Sequence, residues 1–439
     1  MNLLLCIMYL LIGIYILRNL IIKNKKNKSV GCYSGIAVGI IIYYCIVPIL
    51  TLINSRDFIL QYSDVETFIM KKNMWEKIFP MILVIIGFFI YHCAYNQTSK
   101  QKGTESIEYN SLKIIKISKL IGYITLIIGA ISLLIFLRAF GGIKEAFSYA
   151  EILRSFSTSL SDYISGSIAI LIIPARLITV APFAFFILIN ERTIKHKYVY
   201  IICFIISFIL SIIYFIFNAG RAPLIYFLLS FILVFMYKFI KKPWKIVFLV
   251  AIVSLPLLDI LDSTSLYLQT GEWRDVDINY MSYIYQFIYP FKNILNMTDI
   301  VSVYGLRFGK DFMTSIIGLI PGINFPASYE NTSLFFSGTD WKTIGGTPND
   351  LITFSYLEFG VVGIPFMFGV LGYISGKIDG IIKNMPNGVV KSMIATTMAI
   401  QIFSIIPNAD FVAFVRGGGF ILGFLSLIIF FSYNRRKED

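Results

Sequence analysis

A chain of 439 residues with 57% hydrophobic and only 14% charged residues does not read as a set of soluble domains, which run near a quarter charged. Its mean hydropathy of +0.76 turns the formal net charge of +13 from a nucleic-acid signal into a question of where Lys and Arg fall along the chain. The five cysteines (Cys6, Cys32, Cys45, Cys93, Cys203) all lie in apolar runs, which argues against a disulfide framework or a thiolate metal site.

In chain order, apolar stretches long enough to cross about 30 Å of hydrocarbon predict spans near 2–22, 31–54, 78–95, 120–137, 166–189, 199–217, 224–240, 246–262, 350–373, 389–406 and 412–433. The first lacks a basic segment before it and has full spanning length, so it reads as a span and not as a cleavable signal. Six basic segments, Lys23–Lys28, Lys100–Lys119, Arg192–Lys197, Lys238–Lys245, Lys377–Lys391 and Arg435–Lys437, alternate with the other connections and hold 22 of the 38 Lys and Arg. By the positive-inside rule they are cytoplasmic, which puts the N-terminus outside and the C-terminus inside and requires an odd number of spans. The expected fold is therefore an all-α polytopic membrane protein of eleven helices. Helices 1–8 fill residues 1–262, an 87-residue outer loop fills 263–349, and helices 9–11 with a cytoplasmic tail fill 350–439. A loop of that length is too long for an idle connector. No internal repeat divides the chain into halves, which weighs against a secondary transporter.

Charges at membrane depth are rare and usually functional. Arg176, two residues after Pro174, falls roughly 15 Å into its span at 1.5 Å per residue. It is either a snorkelling structural cation or a cation facing a buried polar cavity. Arg221 stands in Asn218-Ala219-Gly220-Arg221-Ala222-Pro223, where Gly permits a bend and Pro suits a helix's first turn. With the free amides of that helix start, its guanidinium suits a phosphate; an interfacial anchor is the alternative. Glu358 lies in the predicted span 350–373 and needs a cation, a hydrogen bond or a proton; Arg176 is one candidate partner. Gly369, Gly372 and Gly376 follow at helical spacing and predict close helix packing.

The large loop supplies the cations Arg274, Arg307 and Lys310, and the last outer turn supplies Asp410 and Arg416. Asp275-Val276-Asp277 and Asp64-Val65-Glu66 are acidic pairs of the kind that hold divalent metal in some glycosyltransferases, though such pairs also arise by chance. Both histidines, His92 and His196, fall at cytoplasmic span ends, so an outward-facing site must use a carboxylate as its base. No Walker loop, nucleotide fingerprint, Ser/His/Asp set or zinc spacing is present, and no cofactor is expected.

Three local features accompany this architecture. Gly345-Gly346-Thr347-Pro348-Asn349-Asp350 is followed by Tyr356-Leu357-Glu358-Phe359-Gly360 and Gly363; Asn218-Ala219-Gly220-Arg221 forms an outer turn; and Arg307 precedes Gly318 by an Arg-x10-Gly spacing. Together they resemble the Wzy-type repeat-unit polymerases of O-antigen and capsule synthesis, which are related to the O-antigen ligases. The histidine that ligases use in their loop is absent here, which favours a polymerase.

The resemblance implies glycosyl transfer on the outer face of a bacterial cytoplasmic membrane. A glycan on undecaprenyl pyrophosphate would be the donor and a fresh lipid-linked repeat unit the acceptor. A chain-length regulator and a flippase are the implied partners, and nucleic acid is not one. Arg176 and Arg221, with Arg307, Arg416, Arg274 and Lys310 as further substrate-binding cations, would stabilise the departing pyrophosphate without a metal; Glu358 or Asp410 would take the acceptor's proton. The rival readings are a flippase for the same lipid-linked oligosaccharide and a metal-dependent lipid-linked glycosyltransferase.

Overall fold

The computed structural model describes residues 2–27, 30–99, 108–109, 111–148, 168, 170–191, 193–195, 197–216, 221–239, 263, 267, 280–317, 328–337, 347–385, 388–410 and 419–434. Helix dominates throughout; the only extended pairing among these residues is a two-residue antiparallel ladder, Glu108–Tyr109 with Tyr433–Asn434. Six helical stretches are long and apolar enough to cross a membrane: Asn2–Lys23, Cys32–Ile53, Met74–Ser99, Leu112–Ala139, Ile172–Asn190 and Leu351–Asn384. Shorter apolar helices, Tyr198–Tyr214, Pro223–Val234 and Val389–Phe403, fall on three further predicted spans, and Phe420–Ser432 on another. The predicted span 246–262 lies outside the described residues. Large apolar side chains stand exposed along these helices, such as Leu3, Leu10 and Ile14 on the first and Ile124, Ile127 and Ile131 on the fourth. Such stripes suit lipid and not water. The chain is an all-α, multi-pass membrane protein.

The residues divide into two compact units. The first comprises Met1–Lys102, Ile278–Lys383 and Ala399–Phe414. In it, glycines bring backbones together. A Cβ on Gly372 would lie 2.5 Å from the Tyr91 carbonyl oxygen, and one on Gly376 would lie 1.9 Å from Thr98 Oγ1. The Gly372/Gly376 spacing thus packs Gly363–Asn384 closely on Met74–Ser99, as such small-residue stripes do in membranes. At one end of this pair Asp379 accepts the Cys32 and Tyr33 amides, at 2.8 and 3.1 Å, and the Tyr95 hydroxyl at 2.8 Å. It caps the helix that starts at Cys32 from another part of the chain, doing for its orphan amides what a local N-cap side chain would.

The Cys32–Ile53 stretch is not uniform. It widens to a π-turn over Ile42–Ile46, ending two residues before Pro48, and resumes as α-helix from Val47. Proline removes one donor and clashes with the carbonyl four residues back, so an added residue in the preceding turn is the relaxed solution. Much of the predicted outer loop is also helical: Tyr280–Phe287, Tyr289–Tyr304, Lys310–Ile317 and Ser328–Ser337 all belong to this unit.

The largest departure from expectation is at the predicted span 350–373. It is two helices, Leu351–Phe359 and Gly363–Asn384, separated by a short 3-10 turn. Gly360 takes φ 64°, ψ −151°, a region closed to residues with a Cβ, and a Cβ on Gly363 would come within 2.0 Å of the Ser355 carbonyl oxygen. In a straight helix those two residues are about two turns, roughly 12 Å, apart. The chain therefore turns a sharp corner here. Gly363–Asn384 alone, at 22 residues, is about 33 Å long and suffices to cross the bilayer. Leu351–Phe359 is a short helix buried within the protein.

The second unit comprises Gly103–Asp277, Asn384–Met398 and Val415–Asp439. Its centre is apolar: Ile115, Ala181, Phe185 and Leu188 form one cluster, and Phe183, Phe227 and Phe231 stack and meet edge-on in another. The stretch Ile172–Asn190 is α-helical to Ala175, 3-10 over Arg176–Thr179, and α-helical again from Ala181. Pro174 and Pro182 bracket the irregular turn. Pro182 has no amide to offer the Ile178 carbonyl, which instead accepts the Ser211 hydroxyl at 3.1 Å.

Candidate functional site

Between the helices Tyr289–Tyr304 and Lys310–Ile317 the chain makes a tight passage from Gly305 to Gly309. Three of its five residues have positive φ: Gly305 (76°), Phe308 (52°) and Gly309 (80°). For Phe308 that is an uncommon conformation, held here by the surroundings. The amides of Arg307 and Phe308 donate to the Leu357 and Glu358 carbonyls at 2.9 and 2.8 Å. These are orphan acceptors at the end of Leu351–Phe359, so the passage caps that helix. Capping it fixes the Arg307 side chain beside Glu358.

Arg307 lies against Asp311, one helical turn ahead: Nε is 2.6 Å and Nη2 2.5 Å from Asp311 Oδ1. The pair is nearly enclosed, with side-chain exposures of 8% and 3%. Glu358 stands behind it, with Oε1 3.8 Å from Arg307 Nε, and is fully buried. Neither Glu358 oxygen makes a hydrogen bond among the described residues, although the Gly309 and Asp311 amides lie close by. Within its own unit Glu358 thus has Arg307 as its neighbouring cation, a pairing the sequence reading did not name.

Asp311 extends the network. Its Oδ2 accepts the Ser328 amide at 2.8 Å. The Ser328 hydroxyl donates to Asp410 Oδ1 at 3.1 Å and accepts from Asn349 Nδ2 at 2.7 Å. The Asn349 amide donates to Asp410 Oδ2 at 3.1 Å, and the Ala409 amide to the Asn349 carbonyl at 2.7 Å. Asp410 is 2% exposed, and burial pushes its carboxyl up to about 7, opposed by the Asn349 amide and raised further by the Asp311 charge. Next in the chain, Asp350 caps Leu351–Phe359 by accepting the Ile352 and Thr353 amides, and it accepts the Tyr44 hydroxyl at 2.6 Å from the π-turn. Asn293 Nδ2 donates to the Pro348 carbonyl at 2.8 Å. The segment Thr347-Pro348-Asn349-Asp350 is therefore a hub joining five parts of the first unit.

Of the residues singled out in the sequence, Arg307, Glu358 and Asp410 come together here, and Lys310 stands exposed at the start of the helix following the passage. Arg176 and Arg221 belong to the second unit. Arg176 sits in the 3-10 turn with Nε enclosed and without a hydrogen-bond partner among the described residues. Arg221 opens the helix Arg221–Phe239, with Pro223 in its first turn. Arg274, Arg416 and the Asp275/Asp277 pair lie outside the described residues. Asp64 of the other acidic pair accepts Tyr285 Oη at 3.0 Å and Lys292 Nζ at 3.1 Å, while Glu66 pairs with Lys71. That arrangement is an ion-pair cluster at the unit's surface. Sequence reasoning passed over Asp311, Ser328 and Tyr44. For Asp311 there was a signal, an acid four residues after an arginine, the spacing at which helical side chains meet.

No family model, characterised protein or solved structure matches this chain.

Proposed function

We propose that the protein is a polymerase that joins undecaprenyl-pyrophosphate-linked oligosaccharide repeat units on the outer face of a bacterial cytoplasmic membrane. The reading takes the chain as eleven spans with the N-terminus outside and the C-terminus inside, from the alternation of basic segments. One observation carries the chemistry: a buried carboxylate with no hydrogen-bond partner among the described residues, Glu358, set 3.8 Å from an arginine that a second carboxylate holds in place.

In the proposed transfer, the acceptor sugar's hydroxyl oxygen bonds to the donor's anomeric carbon as the bond from that carbon to pyrophosphate breaks. The hydroxyl proton goes to Glu358, whose oxygens have no hydrogen-bond partner among the described residues. The electron pair leaves on pyrophosphate, whose charge arginine stabilises without a metal. Asp311 keeps Arg307 oriented for that role. The sequence adds Arg176 and Arg221 as anion-binding cations, and Asp410 is assigned to the wider acid–base network.

The test is a glycan ladder from cells that carry Glu358→Gln in place of the wild-type chain. Gln keeps the shape, and Arg307 keeps Asp311 as its close counterion, so protein level should stay normal while chain extension slows by at least about 10²-fold. Surface glycan should collapse to single repeats. A complete absence of surface glycan would point to a flippase, and a normal ladder would remove Glu358 from the chemistry.

A further inference from the structure

Above the buried Glu358 and Arg307 the protein presents an apolar surface to its surroundings. Val303, Phe308 and Met313 are 62, 75 and 63% exposed, and Val361, Val362 and Phe366 are 49, 73 and 56% exposed. They come from two neighbouring segments. The Gly305–Gly309 passage bonds to the Leu357 and Glu358 carbonyls, and a Cβ on Gly309 would lie 3.4 Å from the Phe359 ring. Phe359 in turn meets Phe366 edge-on at 6.0 Å. The surface does not stop there. It runs on along Gly363–Asn384 through exposed Val370, Tyr373 and Ile374, the face that this helix turns toward lipid. The backbone sets Phe308 outward at the cost of an unfavourable positive φ. Two residues on stands Lys310, the exposed cation nearest in sequence to the patch. A hydrocarbon surface continuous with the bilayer, ending at a cation and lying over a buried arginine, has the layout of an amphiphile site.

We propose that this patch docks the hydrocarbon chain of a phosphate-headed lipid, with the phosphate drawn to Lys310 beside the Arg307 passage. The proposal rests on the glycosyl-transfer reading for the choice of a phosphate headgroup. The lipid reaches the site sideways from the membrane, because the patch and the lipid-facing stripe are one surface.

The full-length protein in phosphatidylcholine nanodiscs, carrying a photoreactive benzoylphenylalanine at position 308, decides the matter. Undecaprenyl phosphate and undecaprenol, equal in chain and differing in charge, are supplied at the same mole fraction. Capture of the phosphate form should exceed that of the alcohol at least about fivefold, the factor one cation at a membrane surface supplies. Lys310→Gln should bring capture of the phosphate form down to that of the alcohol, whose capture stays unchanged. The same photoprobe at Leu10, on another lipid-facing helix, should show no preference. Equal capture of both lipids at position 308, or capture of neither, overturns the proposal. The readout does not need turnover. Selective capture together with an unchanged glycan ladder in cells that lack this chain would leave the docking surface standing and sink the transfer reading.

Discussion

Both units break a membrane helix next to an arginine, and they treat the charge in opposite ways. In the first, the corner at Gly360 ends a short helix beside Arg307, and Asp311 supplies a counterion within 2.6 Å. In the second, the 3-10 turn after Pro174 carries Arg176, which makes no ion pair among the described residues and leaves Nε without a hydrogen bond. An arginine with a built-in counterion is part of the fold, because removing either partner strands the other in a low-dielectric place. One with no counterion among the described residues should contribute less to folding, and the proposed function gives it an anion to bind. Substitution should therefore separate the two sites cleanly.

The largest effect is expected at Asp311. Asp311→Ala leaves the enclosed Arg307 with the more distant Glu358 carboxylate, at 3.8 Å, in place of its close counterion, and should destabilise the protein by up to about 3–5 kcal/mol, read as thermal unfolding in detergent. The paired change Arg307→Leu with Asp311→Leu should recover most of that stability and none of the activity. Full stability in Asp311→Ala would show that the pair is not a structural unit.

Arg176→Ala should do the reverse. Unfolding should move by no more than about 0.5 kcal/mol, as for a side chain with no ion pair among the described residues. Transfer should slow by about 10²–10³-fold, the usual result of deleting a contact to developing charge. A large loss of stability would place Arg176 with Arg307 as a structural cation.

An effect on pH dependence separates Asp410 from its neighbours. Its carboxyl titrates near 7 in the folded protein, above the usual carboxylate range, so the folded state holds the proton more tightly than the unfolded chain. The stability this gives is fully present below the unfolded pKa of about 4 and is lost as pH rises through 7. Unfolding followed from pH 4 to 8 should show that decline, and Asp410→Asn should flatten it. An unchanged profile in the variant would assign the decline to another group.

The helical class, the membrane location and most span positions were legible because they depend on composition averaged over twenty residues. Pro174 likewise announced trouble near Arg176. The corner at Gly360 was not legible, since Gly in a membrane helix more often marks close packing, as Gly372 and Gly376 do here. Hydropathy reads 350–373 as continuous because a helix buried in protein is as apolar as one in lipid. The grouping of Arg307, Glu358 and Asp410 depends on contacts more than fifty residues apart in sequence, for which a single chain carries no signal. The i,i+4 relation of Arg307 and Asp311 was readable, but only once 310–317 was known to be helix and not loop.

The π-turn at Ile42–Ile46 has a consequence for how this chain tolerates insertion and deletion. A π-turn is an α-helix with one residue too many, so this stretch holds a residue that could be lost without breaking the helix. Losing it would close the turn to regular α-geometry and rotate everything on one side by about 100° relative to the other. Tyr44 would then swing away from Asp350, whose cap on Leu351–Phe359 it now shares at 2.6 Å. A one-residue deletion here would be silent in hydropathy and in span count, yet it would uncouple this span from the helix that carries Glu358.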